Sequence, residues 1–232
     1  MIYFNGTALE SVAPVKIDDI RVSPIELTAL ASPRAIRFGA DFVRMAGGAR
    51  TVDIVFALLT DDQTLRQHQL MEITKWARSD APGRLTTGYH GDTYIECICT
   101  ALPSPSTRQW WENRLVITFT AFDNPYWTSI EQKSASCGTA FYVGGGALPL
   151  IEIRNTFASA ASNQSYSDGT NTMTFSSIPA GNMVIDLNRQ TAAVGTTSIM
   201  PYYSFSSAFI QPKTGTQTIT GTGTVYWRER WE

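Results

Sequence analysis

Hydrophobic and polar positions alternate along much of this chain, and only once does the period lengthen to that of a helix. Over 51–59 (TVDIVFALL), Val52, Ile54, Phe56 and Leu58 fall on one side of an extended chain, with Val55, Ala57 and Leu59 on the other. Successive strand residues face opposite ways, so the pattern predicts a strand covered on both faces. The period then changes. Thr60-Asp61-Asp62-Gln63 fits a capping box, in which the Thr60 hydroxyl and the Gln63 amide satisfy amides that the first helical turn leaves free. Leu65, Leu70, Ile73, Trp76 and Ala77 follow within one helical stripe. Pro82 disfavours helical geometry in the residue before it and closes a helix expected over about 61–79. Strands are predicted at 84–89, 93–101 and 113–122, the first two joined by a turn at His90-Gly91-Asp92. The last alternates most clearly, with Leu115, Ile117, Phe119 and Ala121 on one side and Val116, Thr118, Thr120 and Phe122 on the other. Asp123-Asn124-Pro125 stops it.

Segment 134–147 is small and polar and carries three glycines, Gly144 to Gly146, shortly before a new apolar run at 148–153. It reads as a linker. Beyond it no helical period recurs. Short strands are expected at 173–175, 183–187, 191–194, 216–220 and 224–231, and the Ala-, Ser- and Asn-rich stretch 157–172 as a loop. Regular short strands with Gly, Asn and Ser between them point to a second β-sandwich. The expected fold class is therefore mainly β. Residues 1–133 form a β-sandwich domain with one α-helix and a long hairpin arm, and 148–232 form a second sandwich.

Composition narrows the function classes. Charged residues make up 16%, below the usual share of about a quarter, which argues against coiled coil and wholesale disorder. No apolar run reaches the length of a membrane-spanning helix, so no membrane partner is expected. The start, Met1-Ile2-Tyr3-Phe4-Asn5-Gly6, lacks a basic segment followed by a long apolar one, so folding in a reducing cytoplasm is expected. Three cysteines, without zinc-type or disulfide spacing, agree with that. A net charge of −2 supplies no field to gather nucleic acid.

Candidate chemistry is sparse. Cys97 and Cys99 share a strand face and read as buried hydrophobes. His68 lies off the helical stripe and reads as solvated. Asp61 and Asp62 sit where a helix N-terminus favours negative charge. The Gly47-Gly48 and Gly144-Gly145-Gly146 clusters lack the Lys and Ser/Thr of a phosphate-binding loop. Trp110-Trp111, Trp227 and Trp231 fit core or interface anchors better than sugar or base platforms. No catalytic residue, metal ligand or cofactor is assigned, and no enzyme is expected.

One region resists a bland reading. Residues 34–50 (RAIRFGADFVRMAGGAR) interleave Arg34, Arg37, Arg44 and Arg50 with Ile36, Phe38, Phe42, Val43 and Met45. A turn at Gly47-Gly48 would fold them into a long hairpin arm with the following strand, over about 34–59. Arg and aromatic residues are enriched at subunit interfaces, so Arg34, Arg37, Phe38, Phe42, Arg44 and Arg50 are candidate interface residues. An ordinary hairpin with a solvated basic face fits equally well. Nucleic-acid binding needs a larger basic surplus.

In order along the chain, these segments resemble the distal tail proteins (Dit) of long-tailed, non-contractile phages. The resemblance is carried by YFNG at the start, FGADFVRMAGGARTVDIVF, the single helix through Trp76 and RLVITFTAFDNPYW. LPLIEIRN, IPAGNMVIDLNRQ and TGTGTVYWRERW continue it through the second half. It implies a structural protein of the virion tail tip, assembled in the host cytoplasm as a homo-hexameric ring that the N-terminal domains and arms close. The second domain would then be a galectin-like sandwich. The implied partners are the tail tube protein and the tail-associated hub or fibre protein, with a receptor-binding protein and the tape measure beyond them. DNA would pass through the lumen without being read. The alternative is a carbohydrate-binding module acting in host adhesion, although the sugar-contacting His-Asn-Arg and Trp-Glu-Arg pattern of galectins is missing.

Overall fold

Strand Arg50–Leu58 organises the first half of the chain because both of its edges are paired and its inner side chains beyond Arg50 are apolar. The computed structural model describes residues 1–25, 27–33, 40–88, 91–103 and 114–232, with the backbone alone for 27–33 and 40–47. The chain divides into two units, Met1–Trp127 (with Glu232) and Thr128–Trp231.

The first unit begins with β1 (Tyr3–Phe4), β2 (Thr7–Ala8), the one-turn helix α1 (Leu9–Val12), β3 (Val15–Val22), β4 (Leu27–Pro33), β5 (Ala40–Gly47) and β6 (Arg50–Leu58). Helix α2 (Gln63–Ala77), β7 (Gly83–Thr86), β8 (Thr93–Ala101) and β9 (Arg114–Ala121) complete it, and β10 (Trp127–Ser129) spans the division. β6 lies between β3 and β9, antiparallel to both, with Ile54 opposite Ile20 and Ile117. Val52, Ile54, Phe56 and Leu58 are buried, as are Leu115, Ile117, Phe119 and Ala121 on β9. The far face of β6 is covered less evenly than its sequence predicts: Val55 is buried but Leu59 is exposed.

Helix α2 buries Gln69, Leu70, Ile73 and Ala77, while Leu65 is exposed. Trp76 packs edge-on against Phe4 and Phe119 and donates its indole N–H to the Thr7 carbonyl at 2.9 Å. The helix is thereby fixed to both β9 and the N-terminal hairpin. Its cap is Asp62, not Thr60: the Asp62 carboxylate accepts from the Thr64 and Leu65 amides at 2.7 and 3.0 Å. The Thr60 hydroxyl reaches only the Asp62 amide, at 3.3 Å.

The second unit contains β11 (Lys133–Ser136), β12 (Phe141–Val143), β13 (Ala147–Phe157), β14 (Ala161–Ser167), β15 (Thr172–Ile178) and β16 (Gly181–Asp186). β17 (Thr191–Val194), β18 (Thr197–Ser198), a 3₁₀ turn at Met200–Tyr202, β19 (Gly215–Gln217) and β20 (Thr224–Trp231) follow. β13 pairs β20 and β16, β16 pairs β17, and β11 pairs β20, all antiparallel. Ile151, Ile153, Val225, Met183 and Ile185 point from this sheet into a core that Tyr166, Met173, Phe175 and Ile178 close from the β14–β15 hairpin.

Two expectations change here. Segment 134–147 is no free linker, because it holds β12 and most of β11, and Phe141 and Val143 are buried in the second core. Segment 157–172 contains strand β14, a polar strand whose only fully buried side chain is Tyr166. With so little apolar content, its sequence carried no strand signal.

Candidate assembly interface

The arm leaves and rejoins the β3–β6 ladder at one point. Val22 lies opposite Val52 at the end of the β3–β6 ladder. Just beyond, the Ser23 amide donates to the Thr51 carbonyl at 2.9 Å, and the Thr51 amide donates to the Ser23 hydroxyl at 2.8 Å. Past this pin, β4 and β5 pair only with each other among the described residues, running from Leu27 opposite Gly47 to Pro33 opposite Ala40. The paired strands of the hairpin are therefore 27–33 and 40–47, and it does not run over 34–59. A turn at Gly47-Gly48 cannot pair β5 with β6, because β3 and β9 already occupy both edges of β6.

The candidate interface residues separate accordingly. Arg34, Arg37 and Phe38 lie outside the described residues. Phe42 and Arg44 stand in β5 opposite Ala31 and Leu30, flanking a bulge that leaves Val43 unpaired. Arg50 is buried at the start of β6, opposite Ala121, and belongs to the sheet and not to the β4–β5 hairpin. The Ser23–Thr51 pin was not foreseen from the sequence, although Ser23-Pro24 marks the end of β3 there.

Among the described residues β3 is an edge strand, and its charges find partners on β3 itself and on β9. Arg21 bonds Asp19 at 2.9 Å, and Arg114 of β9 reaches Asp18 at 3.4 Å. The ladder shifts register between Ile17 and Asp19.

The other candidates form no cluster among the described residues. His68 is exposed and His90 lies outside the described residues. Among the described residues no three His, Cys, Asp or Glu side chains converge on a metal-sized site. Cys97 is buried, and burial drives its thiol pKa far up, with Cys99 and Glu96 adding to the effect. Trp227 stacks on Phe141 inside the second unit, ring centres 4.6 Å apart, so it offers no sugar platform. Trp110 and Trp111 lie outside the described residues. The second unit does present one aromatic ring fully to solvent, Phe205. Its sequence signal is the lack of any charged residue between Arg189 and Lys213.

No family model matches the sequence, and no curated protein matches it. Solved structures do. The crystal structure of Dit (gp 19.1) of phage SPP1, described as a paradigm of the hub adsorption apparatus in phages infecting Gram-positive hosts, superimposes with a TM-score of 0.74. The match covers 100% of this chain and 98% of that one at 13% sequence identity. The chain has the Dit fold. Two structures of the phage P2 baseplate in its activated conformation, with Ca and with Sr, align at TM-scores of 0.42 and 0.41 and 10% identity. They cover 94% and 93% of this chain and 90% of each of those chains, too loosely for an argument. The likeness to Dit accounts for both units and leaves almost no part of either chain unmatched.

Proposed function

We propose that this chain is a structural hub protein of a phage tail tip, acting as a homo-hexameric ring that joins the tail tube to the tail-associated host-recognition protein. The observation that carries this reading is the Dit fold along the whole chain, arm included. A closed ring needs a heterologous contact that repeats around an axis. A hairpin pinned at its base, whose strands pair only with each other among the described residues, supplies one side of such a contact. In this reading Arg34, Arg37, Phe38, Phe42 and Arg44 meet the neighbouring copy, and the buried Arg50 holds the base of the arm. The receptor-binding protein and the tape measure are further neighbours in the tail, and DNA crosses the lumen without being read. The role is geometric and involves no catalytic step.

Native mass measurement across a concentration series, with image averages of the same sample, tests the reading. A six-fold ring is expected. A strictly monomeric species at all concentrations would overturn it. Arg44→Glu should shift the ring toward monomer without moving the thermal midpoint of either unit.

A further inference from the structure

The arm is built unlike the sheet it springs from. β6 is paired on both edges and buries Val52, Ile54, Phe56 and Leu58. β4 and β5 form a ladder of two strands, with no third strand beside either among the described residues. Two-stranded hairpins standing alone are at best marginally stable in water. This one is poor in the side chains that strengthen cross-strand pairs, since its paired positions include Ala29, Ala31, Ser32, Ala40, Ala46 and Gly47. A bulge interrupts it at Val43, and Pro33 brings no backbone donor to its far end. The Ser23–Thr51 hydrogen bonds hold the base together whether or not the ladder above them is closed.

We propose that the β4–β5 ladder opens and closes in the free chain and becomes persistent only when a second copy covers it, so that ring closure and ordering of the arm are one event. The inference rests on the ring-forming reading above and adds the step that controls it. The ordering cost falls at the moment of association, as for any segment that folds on binding. A lone chain then offers few long-lived strand edges to wrong partners. The Ser23 pin acts as a positioning element, keeping the two ends of the open arm together so that closing it costs less chain entropy.

Hydrogen exchange read by mass spectrometry on the full chain, below and above the concentration at which rings form, tests this. In the free chain, amides of 27–33 and 40–47 should exchange about 100-fold faster than those of 52–58, and ring formation should slow them at least about tenfold. Ser23→Ala should raise the concentration needed for rings several-fold while the thermal midpoint of the first unit holds. A ring whose arm exchanges equally slowly before and after assembly would overturn the inference and leave the ring reading standing. A chain that stays monomeric at every concentration removes the second copy as the cover, and both readings fall together.

Discussion

Replacing Asp62 by alanine isolates one decision the chain makes at the start of α2. The Asp62 carboxylate accepts two amide hydrogen bonds, from Thr64 and Leu65, that the first helical turn cannot otherwise satisfy. Caps of this kind contribute about 1 kcal/mol, within a range of about 0.5–2. The negative charge adds a few tenths by facing the positive end of the helix dipole. Thr60 should matter far less, because its hydroxyl makes a single 3.3 Å contact on the exposed surface and such sites change stability by about 0.5 kcal/mol or less. Urea unfolding followed by circular dichroism at helical wavelengths reports α2, the one helix longer than a single turn among the described residues. With a denaturant slope of about 1–3 kcal/mol/M, Asp62→Ala should lower the midpoint by about 0.3–1 M. Asp62→Asn should recover most of that loss, since asparagine caps equally well. If Thr60→Ala costs as much as Asp62→Ala, the cap has been assigned to the wrong residue.

Three further outcomes test the second unit and the thiols. Gly145 has φ +92°, and a Cβ there would fall on the Arg230 carbonyl oxygen; Gly145→Ala should cost about 2–4 kcal/mol. Gly146→Ala, in open space, should stay within about 0.5 kcal/mol in the same denaturation assay. Burial alone would raise the Glu229 carboxyl, but hydrogen bonds from Lys133 and the Gly144 amide outweigh it and hold the group below its ordinary value of 4.5. Asp168, against the same desolvation, is held below 3.8 by the Asn171 and Thr170 amides and by Lys213. Depressed carboxylates lend stability above their unfolded values and lose it as pH falls through the folded ones. The second unit's urea midpoint should therefore be level from about pH 7 to 5 and decline below about 4.5. Glu229→Gln should lower the neutral midpoint and flatten that decline; an unchanged slope in both Glu229→Gln and Asp168→Asn would refute the assignment. Burial raises the thiols of Cys97, Cys99 and Cys137, so a disulfide reagent at neutral pH should label the folded chain slowly. Rapid labelling of Cys97 would contradict its placement.

Much of this architecture was legible because alternation and burial coincide. β9 and β20 read directly from the sequence, and α2 announced itself by a change of period. The arm was legible as an anomaly but not as a pairing. Gly47-Gly48 suggests a local turn, whereas β6 finds its partners at Val15–Val22 and Arg114–Ala121, far along the chain. Nothing local in Arg50–Leu58 records which edges will be taken. Likewise Thr60-Asp61-Asp62-Gln63 reads as a capping box led by Thr60, and only the backbone geometry that places Asp62 at the boundary overrules it. β14 was unreadable for the opposite reason, since a strand that fully buries Tyr166 alone leaves no alternation to see. For the arm, sequence marked the residue types on which the interface proposal rests, while the pin at its base comes from a serine hydroxyl with no pattern of its own.

The outer edge of β3 bears on what this protein avoids becoming. A smooth apolar edge strand is a template for fibres, since each added chain exposes the same edge again. Along Val15–Val22 the register break at Ile17/Asp19 spoils the regular spacing of amides such growth needs. The exposed Lys16, Asp18, Asp19 and Arg21 place charges of both signs along that edge. A chain arriving in register would have to strip water from these charges for an imperfect ladder. Open-ended polymerisation is thus disfavoured at β3 by the same few residues that finish the sheet.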